Sequence, residues 1–129
     1  MVSSRPRARV LIVDDDPLIR SLLQAVLEDQ RFTIDVAASG EEALEVASSS
    51  PPDVVILDVM MPGINGYDVC RALRASPATK GARVVMLTAK SESFDKEEAL
   101  LAGADGFFTK PFSPLELIEA VNAALNGAA

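Results

Sequence analysis

Short apolar runs alternate along the chain with longer stretches in which apolar residues recur every three or four positions. The first run, "ARVLIVD", reads as a strand. Asp16 then stands at an N-cap position and Pro17 at the first helical position. Leu18, Leu22, Leu23, Val26 and Leu27 supply the apolar stripe of a helix of about three turns. "FTIDVA" alternates polar and apolar positions and suits an edge strand, and Ser39 caps a second helix, "GEEALEVASS", closed by Pro51 and Pro52. "DVVILD" is the third strand; its unbroken run from Val54 to Leu57 suits burial on both faces. "NGYDVCRALRAS" predicts a third helix with Val69, Leu73 and Cys70 facing inward. "ARVVMLT" is the fourth strand, "SFDKEEALLAG" a helix closed by Gly103, and "DGFFTK" the fifth strand. Ser113 and Pro114 open the last helix, with Leu115, Ile118, Val121 and Leu125 on one face. Five strand–helix units in succession predict an α/β fold: a five-stranded parallel sheet, doubly wound, with right-handed crossovers.

This pattern makes the strand endings informative. The first run ends in Asp14 and Asp15, the third in Asp58, the fourth in Thr88 and the fifth in Thr109 and Lys110. A parallel sheet brings such endings to one edge, where open α/β sheets bind ligands. A lone buried carboxylate is costly, so Asp58 at the end of an apolar strand belongs with the others in a site. Clustered carboxylates raise one another's pKa unless a cation intervenes. Lys110 and the Thr88 hydroxyl suit the oxygens of a phosphoryl group. A carboxylate attacking phosphorus there would form an aspartyl phosphate.

Composition narrows the chemistry further. The chain has 129 residues, a size that fits one domain, with 49% hydrophobic and 24% charged residues. It has no histidine and one cysteine, Cys70, so histidine-based nucleophile systems, an internal disulfide and the usual zinc sites are excluded. The cation at the carboxylates should therefore be hard and oxygen-liking, and Mg2+ fits. A net charge of −7 argues against direct nucleic-acid contact. The amino-terminal "MVSSRPRARVLIV" is basic and then apolar, but its apolar run reaches Asp14 too soon for a secretory core. No run approaches the roughly 20 apolar residues of a membrane span, so a cytoplasmic protein without membrane contact is expected.

Four spaced motifs, "VDDDP" at 13–17, "LDVMMPGING" at 57–66, "MLTAK" at 86–90 and "FFTKPF" at 107–112, together resemble the response-regulator receiver domain, the phosphoacceptor module of two-component signalling. The resemblance implies a flavodoxin-like strand order of 2-1-3-4-5. It implies a receiver domain over 8–126, with tails at 1–7 and 127–129. By the same resemblance Asp58 is the phosphoacceptor and Mg2+ is held by Asp14, Asp15, Asp58 and the backbone carbonyl of Met60. Thr88 and Lys110 bind the phosphoryl group, and Thr88 and Phe107 form the switch. Met60 and Lys90 flank the path of hydrolytic water, and the Lys110–Pro111 peptide is cis. The implied partners are a sensor histidine kinase or phosphotransfer protein and a downstream effector protein or domain. Such a receiver is not an enzyme in the ordinary sense, since it catalyses only its own phosphorylation and dephosphorylation.

Other readings compete. Asp16 is read as a cap and not a ligand, Gly63 and Gly66 as turn and helix-approach glycines without chemistry, and one of the adjacent Phe107 and Phe108 as core. A pseudo-receiver that binds partners without phosphorylation would lack an acidic or lysine position, and none is missing. A small phosphatase of the haloacid-dehalogenase type would carry an acid two residues after Asp58, where Met60 stands.

Overall fold

A computed structural model of the chain describes residues 8–28, 30, 32–89 and 95–126. Strands and helices alternate without exception: β1 (Arg9–Val13), α1 (Pro17–Glu28), β2 (Thr33–Ala37), α2 (Gly40–Ser49), β3 (Val54–Asp58), α3 (Gly66–Ala75), β4 (Arg83–Ala89), α4 (Lys96–Ala102), β5 (Gly106–Lys110) and α5 (Pro114–Leu125). The strands form one parallel sheet in the order β2-β1-β3-β4-β5, as the sequence pattern and the resemblance implied. β2 lies on an edge, in line with its half-buried, alternating residues. β3, by contrast, is buried at every position.

Successive residues of the central strands feed opposite faces of the sheet. Leu11, Val13, Val55, Leu57, Val84 and Met86 pack beneath α2, α3 and α4. Val10, Ile12, Val54, Ile56, Val85 and Leu87 pack beneath α1 and α5. The sheet thus separates two apolar clusters.

Helix starts follow the cap chemistry. Ser39, Asn65, Asp95 and Ser113 each accept a backbone N–H of the helix they begin, and Asn65–Asp68 and Ser113–Glu116 are reciprocal capping boxes. Asp16 does the same for α1, its Oδ1 accepting from Leu18 N at 2.9 Å. Gly103 ends α4 in the left-handed region, at φ 100°.

Two inward faces need correction. In α1, Leu23 and Leu27 are buried and Ile19 and Val26 pack beside them, but Leu18 is 79% exposed and Leu22 is exposed too. In α5, Leu117, Val121 and Ala124 are buried, whereas Leu115 is exposed. Both helices carry more apolar residues than one buried stripe can hold. The orientation that fits the sheet leaves the first leucine of each helix outside.

Candidate functional site

The register assembles the site. Val13 pairs with Leu57, so Asp14 and Asp58 follow from neighbouring positions on adjacent strands. Asp58 pairs with Leu87, which puts Thr88 one residue beyond it on β4. Thr88 pairs with Thr109, and Ala89 with Lys110. The sequence-predicted carboxylates, hydroxyl and ammonium therefore lie at the carboxyl edge of the sheet.

The geometry is close. One carboxylate oxygen from each of Asp14, Asp15 and Asp58 lies within 4.8 Å of the others. Asp14 is fully buried, Asp58 is 2% exposed and Asp15 faces solvent. Asp14 Oδ1 accepts from Asp16 N at 2.9 Å. Its Oδ2 is buried without a hydrogen bond, 3.3 Å from Lys110 Nζ. The same ammonium stands 3.8 Å from Asp58 Oδ1. Lys110 precedes a cis proline, Pro111, as expected. Thr88 is buried beside them, its hydroxyl making a long 3.4 Å bond to the Ala89 carbonyl.

Other expected residues fall around this pocket. Met60 exposes its side chain, while its N–H makes a long contact of 3.4 Å to Asp58 Oδ1. Phe107 is 42% exposed, with the Lys96 ammonium 5.0 Å from its ring centroid. Phe108 turns to the other side and meets Phe112 edge-on, so it is the core member of the pair. Lys90 lies outside the described residues.

Two supporting roles, those of Arg20 and Gly66, escaped the sequence reading. Arg20 donates to the Asp14 carbonyl at 2.7 Å, fixing the turn that carries the acidic pair. Gly66 packs so tightly that a Cβ there would lie 2.7 Å from the Asp58 carbonyl oxygen and 2.9 Å from Val59 Cα. Its N–H donates to the Val59 carbonyl at 2.8 Å. A helix-start glycine was legible, but nothing local marked its contact with the phosphoacceptor candidate.

The donor set fits a hard divalent cation. Three carboxylates converge with one ammonium among them, and a buried carboxylate oxygen has no hydrogen bond. Like charges at such separations repel unless countered, and oxygen ligands are those Mg2+ prefers. Cys70 takes no part: it is buried, its Sγ–H donates to the Ala102 carbonyl, and burial pushes its thiol pKa up.

Comparison with known proteins bears on what this arrangement is. The model of the response regulator receiver domain matches residues 10–122. The DNA-binding response regulator MtrA of Mycolicibacterium smegmatis is 45% identical over 119 residues, covering 92% of this chain and 51% of that protein. The alkaline phosphatase synthesis transcriptional regulatory protein PhoP of Bacillus subtilis is 44% identical, covering 91% of this chain and 48% of that one. The chain therefore spans about half the length of these curated relatives. Among solved structures, chemotaxis protein CheY4 of Vibrio cholerae superposes with a TM-score of 0.88 at 35% identity, covering 93% of this chain and 100% of that chain. A CheY-like response regulator receiver domain protein from Methanospirillum hungatei JF-1 gives 0.83 at 35% identity, covering 94% and 96%. With the sheet order, the acidic edge and these matches in agreement, the chain belongs to the response regulator receiver domain family of two-component systems.

Proposed function

We propose that residues 8–126 form a receiver that accepts a phosphoryl group on Asp58 and thereby switches a protein-interaction surface. The observation that carries this reading is Asp58 itself. It is a nearly buried carboxylate ending a central strand, with the Lys110 ammonium 3.8 Å away and two further carboxylates around it.

The balance of the transfer is simple. An Asp58 carboxylate oxygen attacks phosphorus, the phosphorus–nitrogen bond of a phosphohistidine breaks, and the leaving imidazole takes up a proton. Residues 1–129 hold no histidine, and we assign the donor role to a sensor histidine kinase or phosphotransfer protein. Lys110 loses part of its attraction to Asp58 as that carboxylate becomes an acyl phosphate, and its ammonium is then positioned for a phosphoryl oxygen. Thr88 reaches another such oxygen by exchanging its long bond to Ala89 for a charge-assisted one. Asp14, Asp15, Asp58 and the Met60 carbonyl would hold Mg2+, which when bound neutralises charge on the carboxylates and the phosphoryl oxygens. Attack by water on the same phosphorus returns free Asp58 and phosphate, and the resemblance alone assigns Met60 and Lys90 to the path of that water.

The signal leaves through Thr88 and Phe107. Movement of Thr88 toward Asp58 vacates space that the Phe107 ring can enter, and a phenyl ring needs no hydrogen-bond partner there. A downstream effector protein or domain would read the change. The names of MtrA and PhoP carry DNA binding or transcriptional regulation, but this acidic region, at −7, is assigned to partner contact and not to nucleic acid. No helix among the described residues is long and apolar enough to cross a membrane, in keeping with a cytoplasmic role. The tails expected at 1–7 and 127–129 lie outside the described residues.

The test is direct labelling. Incubation with a small acyl phosphate and Mg2+ should add one acid-stable, base-labile phosphoryl group, mapped by mass spectrometry to Asp58. Asp58→Asn keeps the shape and should take up none. Equal labelling of that variant would defeat the assignment.

A further inference from the structure

We propose that α4 is held on α3 unequally at its two ends, and swings about its carboxyl end with Arg74 as pivot and the Tyr67 hydroxyl as latch. Tyr67 and Arg74 lie seven residues apart on α3, so two turns of helix place them on one face.

The carboxyl end of α4 is held by a guanidinium. Arg74 Nε and Nη2 donate to the Gly103 carbonyl at 3.1 and 2.7 Å. Its Nη1 donates to the carbonyls of Lys80, at 2.8 Å, and Ala82. Its Nη2 also meets Asp105 Oδ2 at 2.9 Å, and that oxygen accepts from Val84 N at 2.7 Å. One cation thus joins the end of α4 to the starts of β4 and β5 through charge-assisted bonds, the stronger kind. Gly103 admits the arginine stem, because a Cβ there would lie 2.9 Å from Arg74 Cγ and Nε. Cys70 adds its bond to the Ala102 carbonyl at this same end.

Among the described residues, the amino end is held by contacts of a weaker kind. The Asp95 N–H donates to the Tyr67 hydroxyl at 2.9 Å, a neutral bond. Asp95 is the cap of α4, accepting from Glu98 N through its side chain and from Ala99 N through its carbonyl, each at 3.0 Å. Arg71 and Glu98 form an ion pair at 3.7 Å, but both are roughly half exposed, where such pairs contribute little. Lys96 lies over the outward Phe107 ring, also a modest attraction at an exposed site.

The latch is wired to the acidic pocket. Tyr67 follows Gly66, whose backbone rests against the Asp58 carbonyl. A shift of the β3 end is therefore passed to the hydroxyl that holds Asp95, while Arg74, two turns away, keeps the far end of α4 in place. Swinging α4 reshapes an apolar cavity of about 190 Å3 lined by Lys96, Ala99, Leu100 and Phe107. Its small buried residues, Ala99 and Ala102, offer little interlocking to resist that motion.

Residue-resolved amide hydrogen exchange on the full unmodified chain tests the device without using Asp58 chemistry. Tyr67→Phe should speed exchange at Glu98 and Ala99 about fivefold, the scale of one neutral hydrogen bond, and leave Gly103 and Ala104 at wild-type protection. Arg74→Lys cannot serve the same acceptors and should speed Gly103 and Ala104 at least as much as Glu98 and Ala99. If Arg74→Lys fails to fold, Tyr67→Phe decides alone. Equal acceleration at all four amides in Tyr67→Phe, or none at any, would overturn the proposal.

Discussion

At the scale of single residues, the pocket separates groups that sequence proximity would lump together. Asp14, Asp15 and Asp16 are consecutive, yet Asp14 is buried against Lys110, Asp15 faces solvent at the pocket mouth, and Asp16 caps α1. This division gives a sharp expectation for metal. Mg2+ should raise the melting temperature of the wild type through linkage, and Asp15→Ala should remove that rise. Asp16→Ala keeps the N–H that donates to Asp14, so it should keep the rise and lose about 1 kcal/mol as a missing cap. Thermal melts with and without Mg2+ measure both, and matching metal responses in the two variants would misplace the site. The pocket residues were legible because each ends a strand, and strand ends of a parallel sheet share an edge. Arg20, Tyr67 and Arg74 were not, because their partners lie across turns or 28 to 31 residues away and leave no periodic trace.

At the scale of elements, the strands were easier to read than the faces of the helices. A strand has two faces, and a run such as Val54–Leu57 fills both. A helix has a continuum, and α1 offers Leu18, Ile19, Leu22, Leu23, Val26 and Leu27 to a sheet that takes only part of them. Only the packed neighbours decide which leucines stay outside. The start of α3 shows how strongly such packing can override propensity. Alanine is favoured over glycine inside a helix by about 1 kcal/mol, so Gly66→Ala would stabilise an isolated α3. Here its Cβ meets backbone at 2.7 and 2.9 Å, and the substitution should instead cost about 1–3 kcal/mol as overpacking. It should also slow labelling of Asp58, whose carbonyl takes the contact. Gly81→Ala is the matched control, since nothing lies within 4 Å of its Cβ position, and it should be neutral or slightly stabilising. The urea midpoint should fall for Gly66→Ala and hold or rise for Gly81→Ala; an unchanged midpoint in Gly66→Ala would mean that α3 yields where the geometry says it cannot.

At the scale of the whole molecule, the layer arrangement followed from the alternating pattern, because five βα units with right-handed crossovers leave few ways to cover both sides of a sheet, whereas the strand order came from the family resemblance. The sheet then keeps the two apolar clusters apart, Val69 in one and Val121 in the other. Val69→Ala and Val121→Ala should each cost about 1.5–2 kcal/mol, from the methyl groups removed. Distant sites without shared partners add within about 0.5 kcal/mol, so the double variant should equal the sum by urea unfolding. A larger discrepancy would mean that the strands transmit strain between layers. If the sum holds, the separation has an evolutionary consequence. Either layer can accumulate substitutions, and so acquire a new binding specificity, without forcing compensating changes in the other. The acidic edge constrains only the strand ends that both layers share, so a lineage could re-tailor the surface of one layer while that edge and the surface of the other stay fixed.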